Sequence, residues 1–269
     1  MRMTSISKKR QPSTARAQPE APLRARARDP KWSLIDHLSR QLRDNPPKQK
    51  GERTRLRIRL ATAKVLEKNG YLAARVADIT NEAGLAEGSF YVYFKDKTDA
   101  ALDVLTELTE EFNLLQHEHV AEESAMAAIR QANRHWFAIC RNNAGLVRCI
   151  LQLGDEVPAF AQLAQRSNVT WFEVVARSVL RRHPEGAVDK NDVLLAVHML
   201  GSMMDELTRK LIVYPEPSFV KLMSKLKLDD AGLADAASVL WFRTLYPNKK
   251  MTDELDGAAA RIARWGAGS

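Results

Sequence analysis

Ser89, Tyr91, Tyr93 and Lys97 fall close together in the stretch GLAEGSFYVYFKDKTDAAL, from Gly84 to Leu102. Three hydroxyls and an ammonium are donors suited to phosphate oxygens. Phe90 and Phe94 stand at i and i+4, so on a helix they share one face and bury it. Steps of about 100° per residue then set Gly88, Ser89 and Val92 on the far face, with Tyr91 and Tyr93 on its flanks. Gly88 permits close approach, and Ser89 and Val92 are placed to meet base edges or a thymine methyl. Glu87 sits at the helix entry, where a carboxylate suits the dipole and can accept from a cytosine amine. Arg75, ahead of the preceding short helix, completes the candidate nucleic-acid contacts.

Other reactive side chains do not assemble into a catalytic pattern. His117 and His119 are two apart on an expected helix and point in different directions, which makes them poor chelators. Cys140 and Cys149 are too few for a disulfide framework or a zinc site and read as reduced packing thiols of a cytoplasmic protein. Asp155-Glu156 has no histidine or nucleophile at a telling spacing. The sequence holds no glycine-rich phosphate loop, nucleophile elbow or metal motif. No enzyme activity, metal or cofactor is therefore expected. No run approaches the ~18 apolar residues of a membrane span, and no membrane partner is expected.

The charge is uneven. The 269 residues carry a net charge of +8. Residues 1–50 hold 13 Lys+Arg against 4 Asp+Glu, residues 51–97 hold 9 against 6, and residues 98–269 hold 19 against 23. The positive end points at a polyanion, nucleic acid first, and the larger remainder has no electrostatic reason to touch one.

The elements that must position these residues are helical throughout. Residues 1–30 mix Arg, Ala, Pro and Ser with few large apolar residues, and Trp32, Ile35, Leu38 and Leu42 then recur at helical spacing until Pro46-Pro47. The expectation is a basic, largely disordered extension over 1–50, loosely docked, with a possible short helix. Helices are predicted over 52–69 (closed by Gly70), 76–83 and 87–94, and over a long span opening at Asp96 or Lys97. Further helices follow over 125–141, 145–153, 159–182, 188–213 and 231–246, with a frayed tail after Pro247. No strand alternation of useful length appears. The fold class is all-α, divided into 51–97, 98–248 and a tail 249–269.

Two short helices separated by Gly84-Leu85 make a helix-turn-helix, in which glycine accepts the positive φ of the turn. With Gly70-Tyr71, Val76 and Ile79, Ala83-Gly84-Leu85, Gly88 to Tyr91, Phe94 and Lys97 in that order, residues 53–105 resemble the DNA-binding domain of the bacterial TetR/AcrR-family transcriptional regulators. The chain departs from that pattern at Ala74 and Ala86, where the family usually places Ser or Thr; each loses a side-chain cap worth about 0.5–2 kcal/mol.

The resemblance implies a homodimer that binds a palindromic double-stranded operator, and a helical domain that binds a small effector and releases DNA. It implies a repressor, with a DNA-binding protein of the same fold that lacks an inducer as the alternative. For the effector, apolar or aromatic in kind, the candidate lining is Trp136, Phe137 and Cys140 on one helix, Asn168, Trp171 and Phe172 on a second, and His198, Met199 and Met203 on a third. The helices over 188–213 and 231–246 are expected to pair across the dimer through Leu200, Leu240 and Trp241.

Overall fold

The computed structural model describes residues 31–119, 124–152, 156–251 and 254–265, with no side chains described for 114–119. The segment 1–30, Asp155 and the side chains of His117 and His119 lie outside what is described.

The described residues are helical, with no strand among them. Helix α1 is Leu34–Asp44 and α2 is Lys50–Ala73. The helix-turn-helix follows as α3 (Val76–Ala83) and α4 (Glu87–Phe90). Helix α5, Lys97–His119, leads into the larger unit of α6 (Ala125–Asn142), α7 (Ala144–Gln152), α8 (Pro158–Arg181) and α9 (Lys190–Thr208). A π-turn over Arg209–Val213 extends α9, and α10 (Pro217–Leu226), α11 (Asp230–Leu245) and α12 (Gly257–Ala263) complete the chain.

Helix α1 is not loosely docked. Ser33 caps it by accepting from Asp36 N, and Leu34 N donates to the Asn143 side-chain oxygen at 2.8 Å. Trp32, Leu34 and Leu38 are buried against α2 and the α6–α7 corner. Burying each such side chain is worth about 1.5–3 kcal/mol, which outweighs the polarity of the rest of the helix. On the same side, His37 faces Glu107 of α5 at 3.3 Å, and Arg59 of α2 pairs with both Glu107 and Asp103. Burial would raise the Glu107 pKa, but His37 and Arg59 together hold it below the ordinary value.

The recognition unit and the larger unit share a wall. Helix α2 packs on α7, and the Glu67 carboxylate accepts from Gly145 N at 2.9 Å and Leu146 N at 3.0 Å, capping the start of α7. A Cβ on Gly145 would lie 2.1 Å from the Glu67 carbonyl oxygen, so only glycine fits that crossing.

Helix α11 is enclosed by α6 and α12. Its Asp235 is buried and accepts from Arg130 and Arg134 of α6. The tail expected to fray instead supplies α12, whose Ala258 and Ala259 are buried and whose Ala263 carbonyl accepts from Arg243. A short alanine run signals little by itself and gains order from packing on α11.

Candidate nucleic-acid interface and ligand cavity

Gly84 stands at φ 62, ψ 46 between α3 and α4, the left-handed position a glycine occupies without strain. Arg57 of α2 donates to the Ala83 carbonyl at 2.6 Å and fixes the end of α3. At the start of α3, Arg75 rather than Ala74 is the N-cap, and Asp78 accepts from Arg75 N at 2.9 Å. The cap expected to be missing at Ala74 is thus supplied from inside the helix, and Ala74 itself is buried. Ala86 does cap α4 without a side-chain bond, and regular helix there ends at Phe90 rather than Phe94. The chain continues as a turn in which Tyr93 N and Phe94 N both donate to the Phe90 carbonyl.

Phe90 and Phe94 are both buried, with ring centroids 5.8 Å apart. Tyr91 and Val92 are 56% and 74% exposed, a large apolar side chain presented to solvent with a tyrosine beside it. Arg75, Glu87 and Gly88 are also exposed, while Ser89 and Tyr93 are half-buried. The Tyr93 hydroxyl lies 3.7 Å from where a Cβ of Gly51 would be, which brings the first turn of α2 to the same edge. Exposed Lys50 and Arg53 therefore join the candidate contacts. Helical spacing within one element cannot show this; the density of Lys and Arg around residue 50 is the available signal.

Lys97 is turned the other way. Its ammonium donates to the carbonyls of Tyr71 and Ala74, each at 2.9 Å, and lies 4.3 Å from the Tyr71 ring centre. Burial lowers its pKa from the ordinary lysine value. Its expected phosphate contact is thus displaced by a clasp that ties the end of α2 to the start of α5. The carbonyls left unpaired where α2 ends attract the cation.

In the larger unit a cavity with about 460 Å³ of empty space, partly open to solvent, lies between α5, α6, α8 and α9. Trp136, Asn168, Trp171 and Phe172 line it, four of the nine residues expected from sequence. Phe112 and Asn113 of α5, Asn133 of α6 and Ser167 of α8 complete three walls, and α9 contributes Gly201, Met204 and Asp205. A Cβ on Gly201 would come within 2.5 Å of the Phe172 ring, so this wall is packed closely. A second space of about 490 Å³ between α6, α8 and α11 shares Asn133 and Trp171 with the first.

The other five do not line the cavity. Phe137 and Cys140 are fully buried in the core, and burial raises the Cys140 thiol pKa well above its ordinary value. Burial also pushes Cys149 up to about 11. His198 is exposed beside Phe172, Met199 is 60% exposed, and Met203 is half-buried. The cause is helical phase: Gly201, Met204, Asp205 and Thr208 face inward, and their neighbours rotate away.

Residues 58–103 match the family model of bacterial regulatory proteins, tetR family. That segment is similar to the tetR family of bacterial regulatory proteins. The matched span runs from α2 through the helix-turn-helix into α5. Over 64 residues the chain is 33% identical to the fatty acid metabolism regulator protein of Bacillus subtilis (strain 168), covering 24% of this chain and 33% of that protein. The sequence match thus spans about one third of that relative.

Beyond that segment, the likeness is one of fold. The fatty acid degradation regulator FadR from Bacillus halodurans superposes with a TM-score of 0.54 at 19% identity, over 72% of this chain and 95% of that one. FadR from Bacillus subtilis, solved in complex with stearoyl-CoA, gives 0.54 at 20% identity, over 69% and 96%. The larger helical unit therefore shares its fold with those two regulators. No helix among the described residues is long and apolar enough to cross a membrane.

Proposed function

We propose that the protein is a homodimeric transcriptional regulator, a repressor that binds a palindromic operator and releases it when a small effector enters the α5–α6–α8–α9 cavity. The observation that carries this reading is the division of one short unit into buried Phe90 and Phe94 and exposed Tyr91 and Val92, on a scaffold welded to a cavity-bearing domain through Glu67 and α7. Helix α5 carries Lys97 at one end and Phe112 of the cavity wall further along, so a change at the cavity reaches the recognition unit through a single element. Two recognition units about 34 Å apart would enter successive major grooves. The test is DNA binding by the full chain, titrated with and without candidate effectors. Failure of every effector to change operator affinity would favour a regulator without an inducer.

Tyr91→Phe is expected to weaken binding to all operator variants alike, by about fivefold, one hydrogen bond's worth of about 1 kcal/mol. Val92→Ala is expected to relax preference at one base position instead. Comparing both variants on a randomised duplex library separates the two outcomes; a changed base preference in Tyr91→Phe would mean that the unit is docked in another orientation.

Of the three residues expected at the dimer face, Leu240 is exposed and the other two are buried within the single chain. Trp241 is 2% exposed, packed 5.6 Å from Trp171, and Leu200 is also buried. Leu195 (61% exposed) and Met199 stand one turn apart on α9, with exposed Val169 on α8 and Leu240 on α11. Because Leu195 and Met199 are exposed in the single chain, Asp at both positions should leave folding intact and shift sedimentation from dimer to monomer. A surviving dimer would place the interface elsewhere.

The basic segment 1–30 is proposed to bind additional phosphates. Its deletion should flatten the dependence of log affinity on log salt by ~0.9 for each phosphate the segment neutralises. An unchanged slope removes it from the mechanism.

A further inference from the structure

Resting on the effector-responsive reading, we propose that the effector is a ring-bearing molecule with a hydrogen-bond donor, foremost a protonated amine, that Asp205 accepts, and an acceptor atom that Trp171 engages.

Asp205 is the one formally charged residue among those lining the first cavity. The remaining polar groups there are the neutral side chains of Asn113, Asn133, Ser167 and Asn168. Asn113 donates to Ser167 and Asn133 donates to Ser238, so part of this polar wall is already committed within the protein. The nearest offset to the Asp205 charge is Arg209, which itself pairs with Glu206 at 3.3 Å. Burial pushes the Asp205 carboxyl up to about 6, with Arg209 offsetting part of that rise. A carboxylate on a largely apolar cavity wall favours a cation or an N–H or O–H donor and repels an anion.

The second observation is independent. The Trp171 indole nitrogen is buried and has no hydrogen-bond partner among the described residues, whereas Trp136 donates to the Thr208 hydroxyl at 2.8 Å. Buried indole N–H groups usually find an acceptor. Trp171 lines the cavity, so an oxygen on a bound molecule would supply one. Phe112, Trp136, Trp171 and Phe172 offer ring faces around the same space, with Phe112 and Trp136 at 5.1 Å and Trp171 and Phe172 at 5.0 Å between centroids.

The test uses three probes with one ring and one ether oxygen that differ in their end group: 4-methoxyphenethylamine, 4-methoxyphenethyl alcohol and 3-(4-methoxyphenyl)propionate. Stearoyl-CoA serves as an anionic comparator. Calorimetry on the full chain should show the amine binding at least tenfold more tightly than the carboxylate, with the alcohol between them. Asp205→Asn should bring amine and carboxylate to within about threefold of each other. Trp171→Phe, which keeps a ring and loses the N–H, should weaken the methoxy amine but not phenethylamine itself. Equal binding of amine and carboxylate, or a preference that survives Asp205→Asn, overturns the proposal. If only stearoyl-CoA binds and releases operator, the proposal is overturned while the effector-responsive reading stands. If no probe binds and operator affinity never changes, both fall.

Discussion

Gly145→Ala is expected to destabilise the protein by about 3 kcal/mol or more, the upper part of the range for overpacking, and to weaken operator binding in the fraction that folds. The Cβ would overlap the Glu67 carbonyl oxygen, a backbone atom that cannot rotate aside. Helices α2 and α7 would have to separate, and the caps from Glu67 to Gly145 N and Leu146 N would stretch with them. Glu67→Ala removes those caps without the overlap and should cost about 1–2 kcal/mol. Gly232→Ala is the control. Its Cβ would meet the Leu228 side chain at 2.8 Å, a flexible tip that can move, so little change is expected. Urea denaturation of the three variants ranks them. A Gly145→Ala protein as stable as the parent would mean that the two units are not joined at this crossing.

Asp205→Asn is expected to have the opposite sign. The Asp205 pKa rises from an ordinary 3.8 to about 6 in the folded protein, chiefly through burial. Well below pH 3.8 the carboxyl is protonated in both states and carries no penalty. As pH rises towards and through 6 the unfolded chain ionises first, and stability is lost. Above that the loss levels at up to about 3 kcal/mol. The amide does not ionise, so Asp205→Asn should be more stable than the parent at pH 8 and nearly equal to it well below pH 3.8. Thermal melts in both pH ranges check this. A variant less stable than the parent at pH 8 would mean that Asp205 is an ionised structural group with partners of its own.

The sequence is most informative where a rule is local. Phe90 and Phe94 are separated by one helical turn, Gly84 needs a left-handed backbone, and both facts define the recognition unit without knowledge of its neighbours. Tertiary choices are less legible. Lys97 resembles a phosphate donor in sequence because its carbonyl partners at Tyr71 and Ala74 lie more than twenty residues earlier. Asp205 and Gly201 give no signal of their own because the phase of α9 decides which side chains face inward, and that phase is set by packing against α8. Met199 is misplaced by sequence for the same reason: its exposure puts it on the outer face. Helix α1 has the sequence of an appendage because Arg and Pro surround it, yet Trp32, Leu34 and Leu38 supply enough buried area to dock it.

Selection of binding sites by the full-length protein from a randomised duplex library, followed by footprinting of the recovered sequence, tests the central claim most directly. The account predicts a palindrome whose two half-sites are centred about one helical turn apart, protected by the parent protein and not by a Phe90→Ala variant that loses the buried anchor of the recognition unit. Recovery of no preferred sequence at low salt, or equal protection by Phe90→Ala, would contradict it.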